Sequence, residues 1–154
     1  MVERSGEIFD KEISFSDSAR RELNVLDGAI KEIIHLAERS FRHNDAALAA
    51  SVEPLEETID SICDLLHNRH IERLQNGQCA IQSGVVYLEV LTNLERIADH
   101  CSNIAARVIG NEAEDGQFDA HEMRRKLHDG YVEDYNDRLQ SYELKYLSPI
   151  REEG

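Results

Sequence analysis

Ala19, Leu23, Leu26, Ile30, Ile33, Ala37 and Phe41 follow one another in steps of four and three, the stripe that one face of an α-helix turns toward a core. Hydroxyls at Ser16 and Ser18 stand where an N-cap is needed, so a first helix is predicted from Ser16–Ser18 to about Asn44. Asp45 can cap a second helix, whose stripe is Leu48, Val52, Leu55, Ile59, Ile62 and Leu66. Within it Pro54 marks either a kink or a restart at a first helical turn, and Asn76-Gly77 is a stop. A third helix is predicted from about Cys79 to Ile109 on Leu88, Leu91, Leu94, Ala98, Cys101, Ala105 and Val108, with Gly110 closing it. Residues 111–118 read as an acidic loop. Asp119 with Glu122 forms a capping-box pattern for a fourth helix, 119–148, weakened at Gly130 and ending before Pro149. Residues 1–15 carry no helical period and read as a linker or tail.

Long helices with a sustained four-three rhythm pack nearly antiparallel, and short connections make sequence neighbours antiparallel. The predicted fold is therefore all-α: an antiparallel bundle of three helices over 16–109, with the fourth, 119–148, laid on the bundle or on a partner. The 154 residues suffice for one domain. Only 8 Gly and 2 Pro interrupt the chain, which agrees with long helices and few turns.

Charge narrows the function classes. With 17 Lys+Arg against 31 Asp+Glu, the formal net charge is −14, which excludes nucleic acid and anionic lipid as leading partners. Without a basic cluster in the sequence, direct phosphate binding also looks poor, although a bound cation can bridge an anion. No apolar run is long enough for lipid insertion, so the segment is expected to be soluble. Cys63, Cys79 and Cys101 are odd in number and widely spaced, which fits neither a disulfide framework nor a zinc finger and points to a reducing compartment.

The chemistry-bearing pattern is a repeated Leu-Glu-x-x-x-Asp, Leu55 to Asp60 in the second helix and Leu94 to Asp99 in the third. At about 100° per residue, Glu56 and Asp60 lie about 60° and 100° round from Ile59, and Glu95 and Asp99 lie likewise from Ala98. Each helix thus carries two carboxylates, one turn apart, on the same flank of its buried stripe. If the helices align them, Glu56, Asp60, Glu95 and Asp99 are hard oxygen ligands suited to Mg²⁺, Ca²⁺, Mn²⁺ or iron. The bland alternative is a solvated helix flank with Arg96 or a lysine answering the charge. Between Gln78 and Ala106 only Glu89, Glu95, Arg96 and Asp99 are charged, so the third helix is expected to be the most enclosed.

Other constellations are weaker. His67 and His70, three apart near a helix end, suit the helix dipole better than a metal. Glu32-x-x-His35 and Asp64-x-x-His67 faintly resemble the ligands of ferritin-like di-iron oxidoreductases, but only one true Glu-x-x-His is present and His35 is expected at an interior or boundary position. Cys101 falls in the stripe and reads as a core residue. Tyr131, Tyr135, Tyr142 and Tyr146 read as a packing stripe. Phosphate-loop, dinucleotide, hydrolase-elbow and zinc-protease patterns are missing, so no enzyme is expected.

The run Asn93-Leu94-Glu95-Arg96-Ile97-Ala98-Asp99-His100-Cys101-Ser102-Asn103-Ile104-Ala105 resembles the signature of the PhoU family, with Glu95 and Asp99 on its later acidic motif and Glu56 and Asp60 on the earlier one. That resemblance implies three-helix repeats, a role in control of phosphate uptake and, in some members, multinuclear metal clusters. The longer pattern, Ser16-x-x-Ala19-Arg20-x-Glu22-Leu23, Val52 to Glu56, His70-Ile71-x-Arg73-Leu74-Gln75 and the Asn93 run, is similar to the cytoplasmic C-terminal region of bacterial Na⁺/phosphate cotransporter-like proteins. It implies a non-catalytic regulatory domain at the cytoplasmic face, with a membrane transporter domain upstream in the same polypeptide and pairing of two copies. A free-standing PhoU-like regulator or adaptor is the neighbouring alternative.

Overall fold

A computed structural model describes residues 15–110 and 135–152, and all regular structure in them is helical. The predicted acidic loop, the Asp119–Glu122 capping box, Gly130, Tyr131 and the tail over 1–14 lie outside the described residues.

Helix α1 is Asp17–His43. Ser16 caps it by accepting the Ala19 N–H at 3.1 Å, as its hydroxyl in the sequence suggested. It ends on Asn44 in the left-handed region, φ 48. The Asp45 N–H then reaches back to the Ser40 carbonyl at 2.9 Å, and asparagine is the non-glycine residue that adopts this conformation most readily. Asp45 caps the single turn α2, Ala46–Ala49, accepting from the Ala47 and Leu48 amides. The chain restarts as α3, Val52–Gln75. Pro54 thus stands in the first turn of a new helix, where its missing N–H costs nothing. Gly77, φ 68, ends α3: its N–H bonds to the Leu74 carbonyl at 3.2 Å and that of Gln78 to Arg73 at 2.9 Å. Helix α4 is Ile81–Gly110.

Helices α1, α3 and α4 run up, down and up, each packed on the other two. Leu26, Ile33, Val52, Leu55, Ile59, Ile62, Leu66 and Tyr87 are fully buried between them. Phe41 departs from its predicted stripe and is 71% exposed: Ala37 and Ser40 take the buried positions of that last turn, and Phe41 borders a groove between α1 and α4. Helix α4 is less enclosed than its composition suggests, since Ile81, Val85 and Ile104 are exposed.

The C-terminal segment is α5, Tyr135–Tyr142, a π-helical turn Glu143–Leu147 and α6, Ser148–Glu152. It lies chiefly against α3. Tyr135 donates to Glu57, Tyr146 and Lys145 donate to Glu32, and Arg138 bonds to Ser51 Oγ at 3.1 Å. Tyr135, Tyr142 and Tyr146 therefore pack on the bundle, as a stripe should. The helix does not stop before Pro149. The wide turn, closed by the Ser148 N–H on the Glu143 carbonyl, precedes the proline and removes the usual i−4 conflict.

Candidate functional site

Helices α3 and α4 are antiparallel, and their register follows from two contacts. Ser102 donates to the buried carboxylate of Glu53. Asp60 lies near enough to Glu95 to disfavour its ionisation. Pairing 53 with 102 and 60 with 95 sets 56 level with 99. The two acidic segments are thus side by side, and their burial follows the helical wheel. Glu56, nearer its stripe, is 3% exposed, whereas Asp60 is on the surface; Glu95 is half-buried, whereas Asp99 is on the surface.

The acids divide between two neighbourhoods. Tyr135 of α5 feels Glu57, Glu53 and Glu56, and burial together with these carboxylates holds its phenol well above the ordinary range. One turn or so along, burial and then the negative charges of Asp60 and Asp64 push the Glu95 carboxyl up, while the Cys63 thiol and His67 pull it down. Burial, with the adjacent Glu95, raises the Cys63 thiol far above its usual value, so it stays protonated and is no nucleophile.

An all-carboxylate donor set matches a hard divalent cation, and a cation would offset the repulsion felt at Glu95. Among the described residues, no three His, Cys, Asp or Glu side chains are gathered as metal ligands are. The di-iron alternative gains nothing from the geometry. Glu32 is engaged by Lys145 and Tyr146, and His35 is exposed rather than at an interior or boundary position. Cys101 is a buried residue of the stripe, as expected.

A second polar cluster, absent from the sequence reading, occupies the other end of the bundle. Glu22 of α1 is 1% exposed and accepts from Arg73 through both oxygens at 3.2 and 3.3 Å, from Arg69 at 3.5 Å and from Tyr87 at 3.0 Å. The signal was an acid three residues after Ala19 and four before Leu26, on the apolar face, with two arginines four apart elsewhere in the chain. His70 corrects a second expectation. It does not serve the α3 terminus as a cation but is buried, stacked on Tyr87 at 4.4 Å, with burial and then Arg73 pulling its pKa below the ordinary value. His67 is exposed.

Comparison with known proteins places these features in context. The PhoU domain model matches residues 25–108, a span that includes both acidic segments. The phosphate-specific transport system accessory protein PhoU homolog 1 of Thermotoga maritima is 26% identical over 89 residues, covering 58% of this chain and 38% of that protein. The chain therefore matches well under half the length of that relative. No solved structure matches it.

Proposed function

The chain belongs to the PhoU domain family, and we propose that it is a regulatory, non-catalytic module that controls phosphate transport from the cytoplasmic side. The observation that carries this is the match over residues 25–108, more than half of the chain and inclusive of both acidic segments. The relative named as a transport accessory protein supports a separate regulator. The similarity of Ser16–Leu23, Val52–Glu56 and His70–Gln75 to cotransporter tails supports a domain joined to its transporter. Reading the gene upstream of Met1 separates the two: membrane-spanning segments in frame mean a joined domain, and their absence a free-standing one. Phosphate uptake in cells lacking the gene tests the shared claim. Unchanged uptake at both low and high external phosphate overturns it.

Within this reading Glu56, Asp60, Glu95 and Asp99 hold a divalent or iron-type cation, which would supply charge compensation between α3 and α4 and favour one arrangement of the two helices. Mn²⁺, Mg²⁺ or Fe²⁺ then raises the melting temperature of the wild type by the mass-action increment, and the Glu95→Gln, Asp99→Asn double variant loses that gain. Equal shifts in both proteins remove the site. The apolar stripes do not depend on the carboxylates, so far-ultraviolet circular dichroism stays helical after chelation.

Two copies are expected to pair through the face of α1 and α4 that exposes Ile34, Phe41 and Ile104 around a groove of about 620 Å³. Sedimentation should show a mass near twice 17.6 kDa at tens of micromolar. Phe41→Ser should return it to the monomer, and a monomeric wild type overturns the pairing.

A further inference from the structure

Where α1 begins, α3 ends and α4 begins, the bundle forms a half-open cavity of about 400 Å³ lined by Ser16, His70, Arg73, Ala80 and Ser83 among others. Three independent features of its wall point to the same kind of occupant.

The first is the start of α4. The Gly84 N–H bonds to the Ala80 carbonyl at 3.0 Å, which makes Ala80 the cap position, and alanine has no oxygen to offer the amides that follow. No acid stands in the first turn either. Among the described residues, the N–H groups of Ile81, Gln82 and Ser83 therefore open a 30-residue helix without a side-chain acceptor. By contrast α1 has Ser16 and Asp17, and α2 has Asp45.

The second is His70. It is 1% exposed; its Nε2 lies against the α4 backbone at Gly84, and among the described residues neither ring nitrogen has a hydrogen bond of good geometry. That leaves Nδ1, and a buried imidazole nitrogen is costly unless something in the adjoining space answers it.

The third is local charge. Arg69 and Arg73 both converge on Glu22, so two cations share one buried carboxylate. Arg73 spends two of its five N–H donors on Glu22 and forms part of the cavity wall. Arg69 and Glu72 both border the neighbouring groove rather than this cavity. Arg73 is thus the one charged side chain of the described lining, and the N–H donors it does not spend on Glu22 are what this wall offers to an anion.

We propose that this cavity binds a small oxyanion, free phosphate or the phosphate or carboxylate group of a small metabolite, held by Arg73, His70 and the opening amides of α4. An oxyanion is the one ligand class that accepts from an arginine fork, an imidazole N–H and a helix N-terminus together. The proposal stands apart from the acidic segments and from the transport reading.

The test is ¹H–¹⁵N nuclear magnetic resonance on the whole chain, titrated with sodium phosphate, glycerol 3-phosphate or sodium acetate against sodium chloride at equal ionic strength. The expected result is saturable movement of the Ile81, Gln82 and Ser83 amides and of the His70 ring. Tightest binding of glycerol 3-phosphate assigns a phosphorylated metabolite, of phosphate the free ion, and of acetate a carboxylate; each supports the site. Ser83→Asp places a carboxylate in the first turn of α4, a position that suits the helix dipole, and should weaken binding by about tenfold or more. Arg73→Lys keeps a cation beside Glu22 but loses the planar fork, and should also weaken it. No saturable shift with any of the three anions, or unchanged binding in both variants, overturns the proposal.

Discussion

Tyr87 on α4 donates its phenolic hydrogen to Glu22 on α1 across 3.0 Å, and both side chains are buried. Because Arg73 of α3 grips the same carboxylate, one acid ties all three helices of the bundle together.

Removing the two ends of that contact should therefore have unequal effects. Tyr87→Phe deletes one hydrogen bond to a charged acceptor that keeps its arginines, for a loss of about 1.5–3 kcal/mol. Glu22→Ala leaves Arg73 and Arg69 partly buried without their carboxylate, for about 3–5 kcal/mol. Urea unfolding of the two variants measures both, and equal losses would show that the ion pairs are idle.

Two glycines within helices offer opposite outcomes for the same substitution. A Cβ on Gly84 would sit 2.8 Å from Leu74 Cδ2 and 3.0 Å from His70 Nε2, so this glycine is what lets α3 and α4 approach. Gly84→Ala is expected to cost about 1–3 kcal/mol through overpacking. On Gly28 of α1 the same atom would meet only Tyr146 Cε1, at an ordinary 3.8 Å. Gly28→Ala should stabilise by up to about 1 kcal/mol from helix propensity alone. Thermal melts of the pair decide it.

Glu95 has a raised pKa, first from burial and then from Asp60 and Asp64. A carboxyl with a raised folded pKa favours the folded state below its unfolded value and loses that contribution as pH rises through the folded one. At pH 7 the ionised group is therefore a burden. Glu95→Gln should raise apo-protein stability there by about 0.5 kcal/mol, discounted for its partial exposure. The gain should vanish below pH of about 4. A destabilised variant in chelator at pH 7 would contradict this.

For His70 the sign is reversed. Its folded pKa is lowered, by burial first and Arg73 second, so the unfolded chain takes up the proton more readily. Stability should fall as pH drops through about 6.5. His70→Gln, which cannot titrate, should flatten the profile between pH 7 and pH 5 relative to wild type. Parallel profiles would show that His70 is not held neutral.

Much of this protein was legible without coordinates, because it depends on neighbours in the chain. The four-three stripes, the caps at Ser16 and Asp45 and the stop at Asn76-Gly77 are local, and each is present. The angular offsets of the acidic pairs are local as well, about 60° for Glu56 and Glu95 and about 100° for Asp60 and Asp99, whereas the depth at which each acid lies is set by the helices opposite.

Tertiary structure decided what depends on partners brought from far away. Glu22 can be buried only because Arg73, 51 residues later, arrives with two hydrogen bonds, and no local rule announces that meeting. His70 is held neutral by burial and by Arg73, and Phe41 is left outside while Ser40 beside it is buried. Pro149 continues a helix because a wide turn forms just before it. Apolar periodicity is a property of one helix. The burial of a charge is a property of the helices that surround it, since only their donors offset its lost hydration.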